Sequence, residues 1–277
     1  MSLKPRTKVL SMLLGSGCIF LLAFFVMPLL FVLSESFLGP DGKLTMARYL
    51  GVLSDAQFQN VYARTLKMAL IVTVIAVFTA YPTAYLMMKI KSSHKAVLMS
   101  LVILPLMTSP VARTYAWIVI LGRYGIVNQT LALFGLTKEP IRMLYTEGAI
   151  IVGLLQLFLP IMVLNLVSAL ENVAPEVEEA ALSLGSTKIG TFFRVIVPLS
   201  FDGLIMGVTL VFTGSITAYV TPAILGGARV LTLATLMRQQ ALVLMNWEAA
   251  TVIAVVMILT TLILHTIMKR FRPRNQI

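Results

Sequence analysis

The chain has 277 residues, of which 58% are hydrophobic and only 12% are charged. This composition is typical of a protein that crosses the membrane several times, and it excludes a soluble domain. The net charge of +11 does not indicate a nucleic-acid partner, because the Lys and Arg residues cluster in short segments beside apolar runs. A single Cys and two separated His residues indicate no disulfide, no metal site and no cofactor.

The first half of the chain predicts two transmembrane helices joined by a polar segment. An uncharged run after a basic start predicts a span over residues 9–34. The run is longer than a signal-peptide core and no small-residue cleavage site follows it, so we interpret it as an uncleaved span with the N-terminus inside. The polar segment contains a turn signal at Gly39-Pro40-Asp41-Gly42 and residues suited to a short surface helix at Arg48-Tyr49-Leu50. A second span is predicted at 68–88, and the basic stretch Lys89–Lys95 after it marks an inside loop.

A third span is predicted at 96–112, where Pro105 and Pro110 interrupt the apolar run. Broken membrane helices often mark a transport pathway. Equally, two prolines near the outer end of a span can simply terminate it, and the sequence leaves both interpretations open. The apolar run 115–122 is too short to cross the membrane and is interpreted as an interfacial or re-entrant piece.

The segment 172–198 follows the fourth predicted span, 148–170, and has the pattern of a helical hairpin outside the bilayer. Pro175 suits a first helical turn, and the Glu residues after it complement the helix dipole. Gly185 stands where this short helix should stop, with Ser186 as the cap of a second one. Each helix carries apolar residues at i, i+3, i+4 and i+7; these are Val177, Ala180, Ala181 and Leu184 in the first, and Ile189, Phe192, Phe193 and Ile196 in the second.

Glu179-Ala180-Ala181, Gly185 and Val195-Ile196-Val197-Pro198 are spaced by three and nine residues. This spacing resembles the cytoplasmic coupling loop of binding-protein-dependent ABC importer permeases, whose pattern is Glu-Ala-Ala-x3-Gly-x9-Ile-x-Leu-Pro. The chain departs from it with two aliphatic replacements, Val195 and Val197. The resemblance implies that the loop docks on a cytoplasmic ATPase, through residues that here would be Glu178, Glu179, Ala180, Ala181, Gly185 and Pro198. Without the resemblance, the segment could be a plain polar loop with Glu residues that serve only as caps.

Two further spans are predicted at 203–228 and 249–268, and a basic C-terminal end follows the last one. Gly203 and Gly207 form a small-xxx-small pair, which permits close helix packing in the membrane and does not by itself indicate dimerisation. The predicted fold class is therefore an all-α polytopic membrane protein with six spans and both termini cytoplasmic. The resemblance implies a single permease domain over 1–277 with the type I ABC importer core.

The predicted spans contain no acidic residue, Lys or Arg between their membrane ends. Ion-coupled carriers usually need such groups, so a non-ABC channel or secondary carrier is the weaker alternative. The lack of a compact set of His, Asp, Glu or Cys at membrane depth argues against a membrane-embedded enzyme. The chain has no Gly-x-x-x-x-Gly-Lys-[Ser/Thr] motif and so is not itself predicted to hydrolyse ATP.

Polar groups at membrane depth are candidates for lining a pathway, since they normally face the protein interior or water. They are Tyr81 and Tyr85 in the second span, with Gln156 and Asn165 in the fourth. Hydrogen bonding between helices is an equally good explanation of Asn165.

The resemblance also implies partners, a location and a substrate class. The partners would be two cytoplasmic ATPase subunits, a second similar permease, a periplasmic binding protein and membrane lipid; the location would be the bacterial inner membrane. The stretch LPLMTSPVARTYAWIVILGRYGIVNQ resembles permeases for spermidine, putrescine and related organic cations. Iron, thiosulfate, opine and phosphonate importers have similar permeases and remain alternatives.

Overall fold

The computed structural model describes residues 14–38, 43 and 45–270, and its long elements are α-helices. The predicted turn at 39–42, the basic N-terminal segment with the first residues of the span 9–34, and residues 271–277 lie outside the described residues. The helices in chain order are α1 (Leu14–Phe37), α2 (Ala47–Ser54), α3 (Ala56–Lys89), α4 (Ser92–Met107), α5 (Pro110–Leu121), α6 (Ile126–Leu133), α7 (Glu147–Glu171), α8 (Pro175–Ser183), α9 (Lys188–Leu199), α10 (Phe201–Thr217), α11 (Val220–Leu225), α12 (Leu233–Arg238) and α13 (Trp247–Arg270).

Within the described residues, five helical stretches are long and apolar enough to cross a membrane, and a sixth is obtained if a bent pair is counted as one span. The bent pair is α9 with α10, which meet at 70°. The predicted third span at 96–112 falls on α4 and the start of α5. Helix α4 has 16 residues. The stretch Pro110–Leu133, which comprises α5 and α6, has 24 residues. The chain therefore breaks at Thr108 and Ser109, directly before Pro110, which begins a helix at no cost because its missing N–H needs no partner there.

The second predicted span, 68–88, lies inside the much longer helix α3, which has 34 residues. The helix starts twelve residues earlier than the apolar run because Asp55 caps it: its Oδ1 accepts a hydrogen bond from the backbone N–H of Gln57 at 2.9 Å. Pro82 lies inside the helix without ending it. A polar first part and an apolar second part thus form one continuous element.

Close packing of α7 against α10 forms the centre of the larger compact unit, which comprises Gln59–Leu236 and the residues from Met257 onward. Gly203 and Gly207 of α10 face α7. A Cβ at Gly203 would overlap Ala169 and come within 2.9 Å of the Asn165 carbonyl oxygen, and a Cβ at Gly207 would overlap the sulfur of Met162. The small-residue pair predicted from the sequence therefore packs against a helix of the same chain.

The smaller unit comprises the residues up to Phe58 and Met237–Val256. The short helix predicted near Arg48 is present as α2. The Arg48 guanidinium donates to the Glu35 carbonyl at 2.9 Å and pairs with the Glu248 carboxylate at 2.6 Å. Tyr49 bonds to the hydroxyl of Ser36 at 2.8 Å, so α2 is held to the end of α1.

Candidate functional site

Helix α8 begins at Pro175, has Glu176 and Glu178 in its first turn and ends at Ser183. Gly185 follows two residues later in the left-handed region, with φ +89°. The N–H of Gly185 donates to the Leu182 carbonyl at 3.0 Å, and that of Ser186 donates to the Ala181 carbonyl at 3.1 Å. This pair of bonds satisfies the last carbonyls of the helix and reverses the chain.

The second helix of the hairpin is capped by Thr187, and the prediction that Ser186 caps it is wrong. Ser186 still belongs to the turn that closes α8, and its hydroxyl donates to the Thr187 carbonyl at 3.3 Å, so the helix begins one residue later. The Thr187 Oγ1 accepts the N–H of Gly190 at 3.1 Å. Within α9, residues Phe192–Ile196 adopt one wide π-helical turn.

The predicted single apolar face of this second helix is divided between two sides. Phe192 and Ile196 pack against the core, whereas Ile189 and Phe193 are exposed. The exposed apolar side chains of the hairpin thus include Val177, Leu184, Ile189 and Phe193, at 38%, 89%, 73% and 64%. Glu179 and Ala180 are exposed as well. The hairpin thus exposes apolar side chains and the carboxylate of Glu179.

Glu178 is directed toward α3 and differs in this from its exposed neighbour Glu179. Its carboxylate accepts hydrogen bonds from the Tyr85 hydroxyl at 2.9 Å and from the Lys89 ammonium at 2.5 Å, and its side chain is 18% exposed. Burial by itself would raise the pKa of Glu178. The hydrogen bonds from Lys89 and Tyr85 and the positive charge of Lys89 outweigh it, so the pKa of Glu178 lies below its ordinary value. The carboxylate is therefore ionised at neutral pH.

The second half of the hairpin contacts the same helix one turn earlier. Tyr81 is hydrogen-bonded to the buried hydroxyl of Ser200. Ser200 itself donates to the Ile196 carbonyl at 2.7 Å, so its oxygen accepts from Tyr81. The Phe192 ring packs edge-on against Tyr81 and Tyr85, with centroid distances of 5.3 and 5.1 Å.

The four candidate pathway residues are not brought together in one place. Tyr81 and Tyr85 contact the hairpin, and Gln156 accepts a hydrogen bond from the indole N–H of Trp117 at 2.5 Å. Asn165 donates to the Ile161 carbonyl of its own helix at 2.8 Å. The lining role of all four side chains stays a prediction.

Sequence reasoning missed Lys89 and Ser200 as contacts of the hairpin. The basic pattern alone identifies Lys89 only as part of the inside loop. The sequence does contain a signal for its contact with the hairpin, since Tyr81, Tyr85 and Lys89 lie four residues apart and so share one face of a helix. A second ion pair, Lys95 with Glu171 at 2.6 Å, joins the start of α4 to the end of α7.

Residues 72–277 match the family model described as "Binding-protein-dependent transport system inner membrane component". The chain belongs to this family. It is accordingly an inner-membrane protein and a permease component of a binding-protein-dependent ABC importer, and the predicted family is confirmed.

Individual relatives support the assignment to this family. The chain is 36% identical over 241 residues to the spermidine/putrescine transport system permease protein PotB of Haemophilus influenzae, which covers 85% of this chain and 84% of that protein. It is 31% identical over 252 residues to PotB of Escherichia coli strain K12, with coverages of 88% and 91%. A crystal structure of a bacterial alginate ABC transporter in complex with an alginate pentasaccharide-bound periplasmic protein has a similar fold, with a TM-score of 0.79 and 16% identity over 98% of this chain and 96% of that one.

Proposed function

We propose that the chain forms half of the translocation pathway of an ATP-driven importer for a polyamine or a related organic cation. A second, similar permease subunit would complete the pathway, and a periplasmic binding protein would deliver the solute. The hairpin carries this proposal, because it exposes apolar side chains and the Glu179 carboxylate, and the chain has no phosphate-binding motif of its own. An exposed apolar surface rimmed by polar groups is typical of a protein contact.

Two separate cytoplasmic ATPase subunits would supply the energy, one of them docked on this hairpin. In this proposal Glu179 pairs with a cation of the ATPase, and Ala180 and Ala181 leave room for close approach. Gly185 sets the angle between α8 and α9. Pro198 lies two residues before the bend at Ser200 and so defines where the hairpin ends and the span begins.

The ATPase contact is tested with Glu179→Lys in the full complex, and Glu176→Lys is the matched control. Both residues are exposed on α8 and both replacements change the charge by the same amount. We expect Glu179→Lys to insert normally, to lose ATPase subunits on purification and to lose uptake, because a cation then faces a cation. Suppressors of its defect should lie in the ATPase subunit. Full uptake with the ATPase retained would contradict the proposed contact between Glu179 and the ATPase. An equal loss of uptake in both variants would contradict it as well.

The proposed substrate class is based on the two PotB proteins, which are named for spermidine and putrescine. Permeases for iron, thiosulfate, opines and phosphonates are the alternatives. Uptake of labelled spermidine should depend on this chain and should be competed by putrescine. Spermidine uptake that is unchanged when the chain is deleted would exclude the polyamine assignment. It would not affect the assignment to the importer class.

We also propose that Gln156 and Asn165, together with Tyr81 and Tyr85, line the route of the solute. Gln156→Ala is the cleanest test because the polar contact of Gln156 is to Trp117 and not to the hairpin, unlike the contacts of Tyr81 and Tyr85. A lining role predicts a raised KM for uptake at normal membrane abundance. Unchanged kinetics for Gln156→Ala and Tyr85→Ala would exclude that role.

A further inference from the structure

Both halves of the hairpin contact one stripe of α3, defined here as Tyr81, Tyr85 and Lys89. Glu178 in the first hairpin helix contacts Tyr85 and Lys89. Phe192 in the second packs against Tyr81 and Tyr85, and Ser200 after it bonds to Tyr81. The stripe covers three successive turns of α3 and ends at its last residue.

This contact is distinct from the covalent connections of the hairpin. The chain joins the hairpin to α7 on one side and to α10 on the other, whereas α3 precedes it by more than 80 residues in sequence. A displacement of the hairpin can therefore reach α3 directly through the side chains of the stripe, without passing along the chain. The charged carboxylate of Glu178 makes two of these links, to Tyr85 and Lys89, and its side chain is mostly shielded from water, with 18% exposure.

The contact also leaves room for movement. A cavity of about 110 Å³ lies between the end of α3, the end of α7 and the hairpin, and Glu178, Tyr85 and Lys89 are among its lining residues, with Val173 and Ile196. At this cavity, the Tyr85 hydroxyl and the Lys89 ammonium hold the Glu178 carboxylate of α8 next to α3. Such a link is directional, because hydrogen bonds to an ionised group depend steeply on geometry.

We propose that Glu178 is a positioning residue that fastens the hairpin to the end of α3, so that movement of the hairpin is passed to this helix as well as to α7 and α10. The proposal rests on the proposed function, in which the ATPase moves the hairpin. It separates the roles of two adjacent residues: Glu179 makes the contact with the ATPase, and Glu178 transmits the resulting displacement within the chain.

The test uses the full complex in liposomes and measures spermidine taken up per ATP hydrolysed. The variants are Glu178→Gln, Lys89→Met and the double variant, and the control is Glu176→Gln on the same turn of α8. We expect Glu178→Gln and Lys89→Met each to lower the ratio by about fivefold or more, the lower end of the usual range for coupling between two sites. ATPase retention and ATP hydrolysis should stay intact, and the double variant should be no worse than either single one.

A charge exchange, Glu178→Lys with Lys89→Glu, should restore part of the ratio because it re-forms the ion pair with the opposite polarity. A purely structural defect would instead lower membrane abundance and would not be rescued. An unchanged ratio in Glu178→Gln overturns the proposal. Loss of the ATPase from Glu178→Gln also overturns it, since Glu178 would then be a docking residue.

A second measurement does not depend on the substrate. Spin labels at Ser183→Cys and Lys91→Cys, in a Cys18→Ser background, report the distance between the hairpin and the end of α3. The distance distribution should broaden in Glu178→Gln and stay narrow in Glu176→Gln. Equal distributions in both variants would overturn the positioning role. Failure of spermidine uptake in the unmodified complex would instead count against the proposed substrate alone.

Discussion

Gly185 is the residue whose backbone conformation determines the shape of the hairpin. Its φ of +89° is strained for any residue with a Cβ, at a cost of about 1–2 kcal/mol. An added Cβ would meet no atom within 4 Å, so the strain comes from the backbone and not from crowding. We expect Gly185→Val to insert normally and to lose transport, measured as uptake at equal membrane abundance, because the angle between α8 and α9 changes.

Two further variants separate this backbone effect from a simple change in side-chain size. Gly51→Val in α2 adds the same side chain to an exposed helical glycine that also has no neighbour within 4 Å and lacks a positive φ. We expect near-normal uptake from it. Gly185→Asn should retain more uptake than Gly185→Val, since Asn tolerates the left-handed region better. Equal uptake in Gly185→Asn and Gly185→Val would contradict the explanation from φ.

At the scale of elements, the contact of α7 with α10 depends on the absence of side chains on one helix. Gly203→Leu should lower the free energy of unfolding by about 1–3 kcal/mol, because the new side chain overlaps Ala169 and approaches the Asn165 carbonyl. The measurement is the thermal unfolding midpoint in detergent. Gly17→Leu in α1 is the matched control, as a Cβ there has open space around it.

A size exchange across the same contact provides a stricter check. Gly203→Ala should be destabilising, and the addition of Ala169→Gly should recover part of the loss because the two Cβ atoms are the groups that overlap. No recovery in the double variant would show that the carbonyl of Asn165, and not Ala169, limits the approach of the helices.

At the scale of the whole molecule, the predicted orientation places Ser92 and the hairpin in the cytoplasm and Lys138 outside. The basic segments beside the spans are the physical reason, since Lys and Arg are retained on the cytoplasmic side. Cysteines introduced at Ser92, Leu184 and Lys138 in a Cys18→Ser background should react with an impermeant reagent from the matching side. Labelling of position 138 only after membrane disruption would reverse the orientation.

Long apolar runs and motif spacing were sufficient for the family and for most of the helices. A segment in the bilayer must satisfy its backbone hydrogen bonds internally, and an uncharged apolar run of about 20 residues does so by forming a helix. The start of α3 at Ala56 was missed because its first turns are polar and depend on the cap at Asp55. The break before Pro110 was recognised as a possibility, but the sequence did not distinguish a terminated span from a broken one.

The sequence by itself determined the hairpin and its reversal at Gly185, because these depend on the period of a helix and on the conformational freedom of one glycine. The spacing of the Glu-Ala-Ala and Gly positions in the hairpin indicated the family. Only the tertiary structure distinguished Glu178 from Glu179. The two are adjacent on one short helix, and local pattern treats them alike. Their environments differ because Tyr85 and Lys89 of α3, some 90 residues earlier in the chain, contact Glu178. Such a contact depends on how the helices pack, and the spacing of residues along the sequence does not predict it.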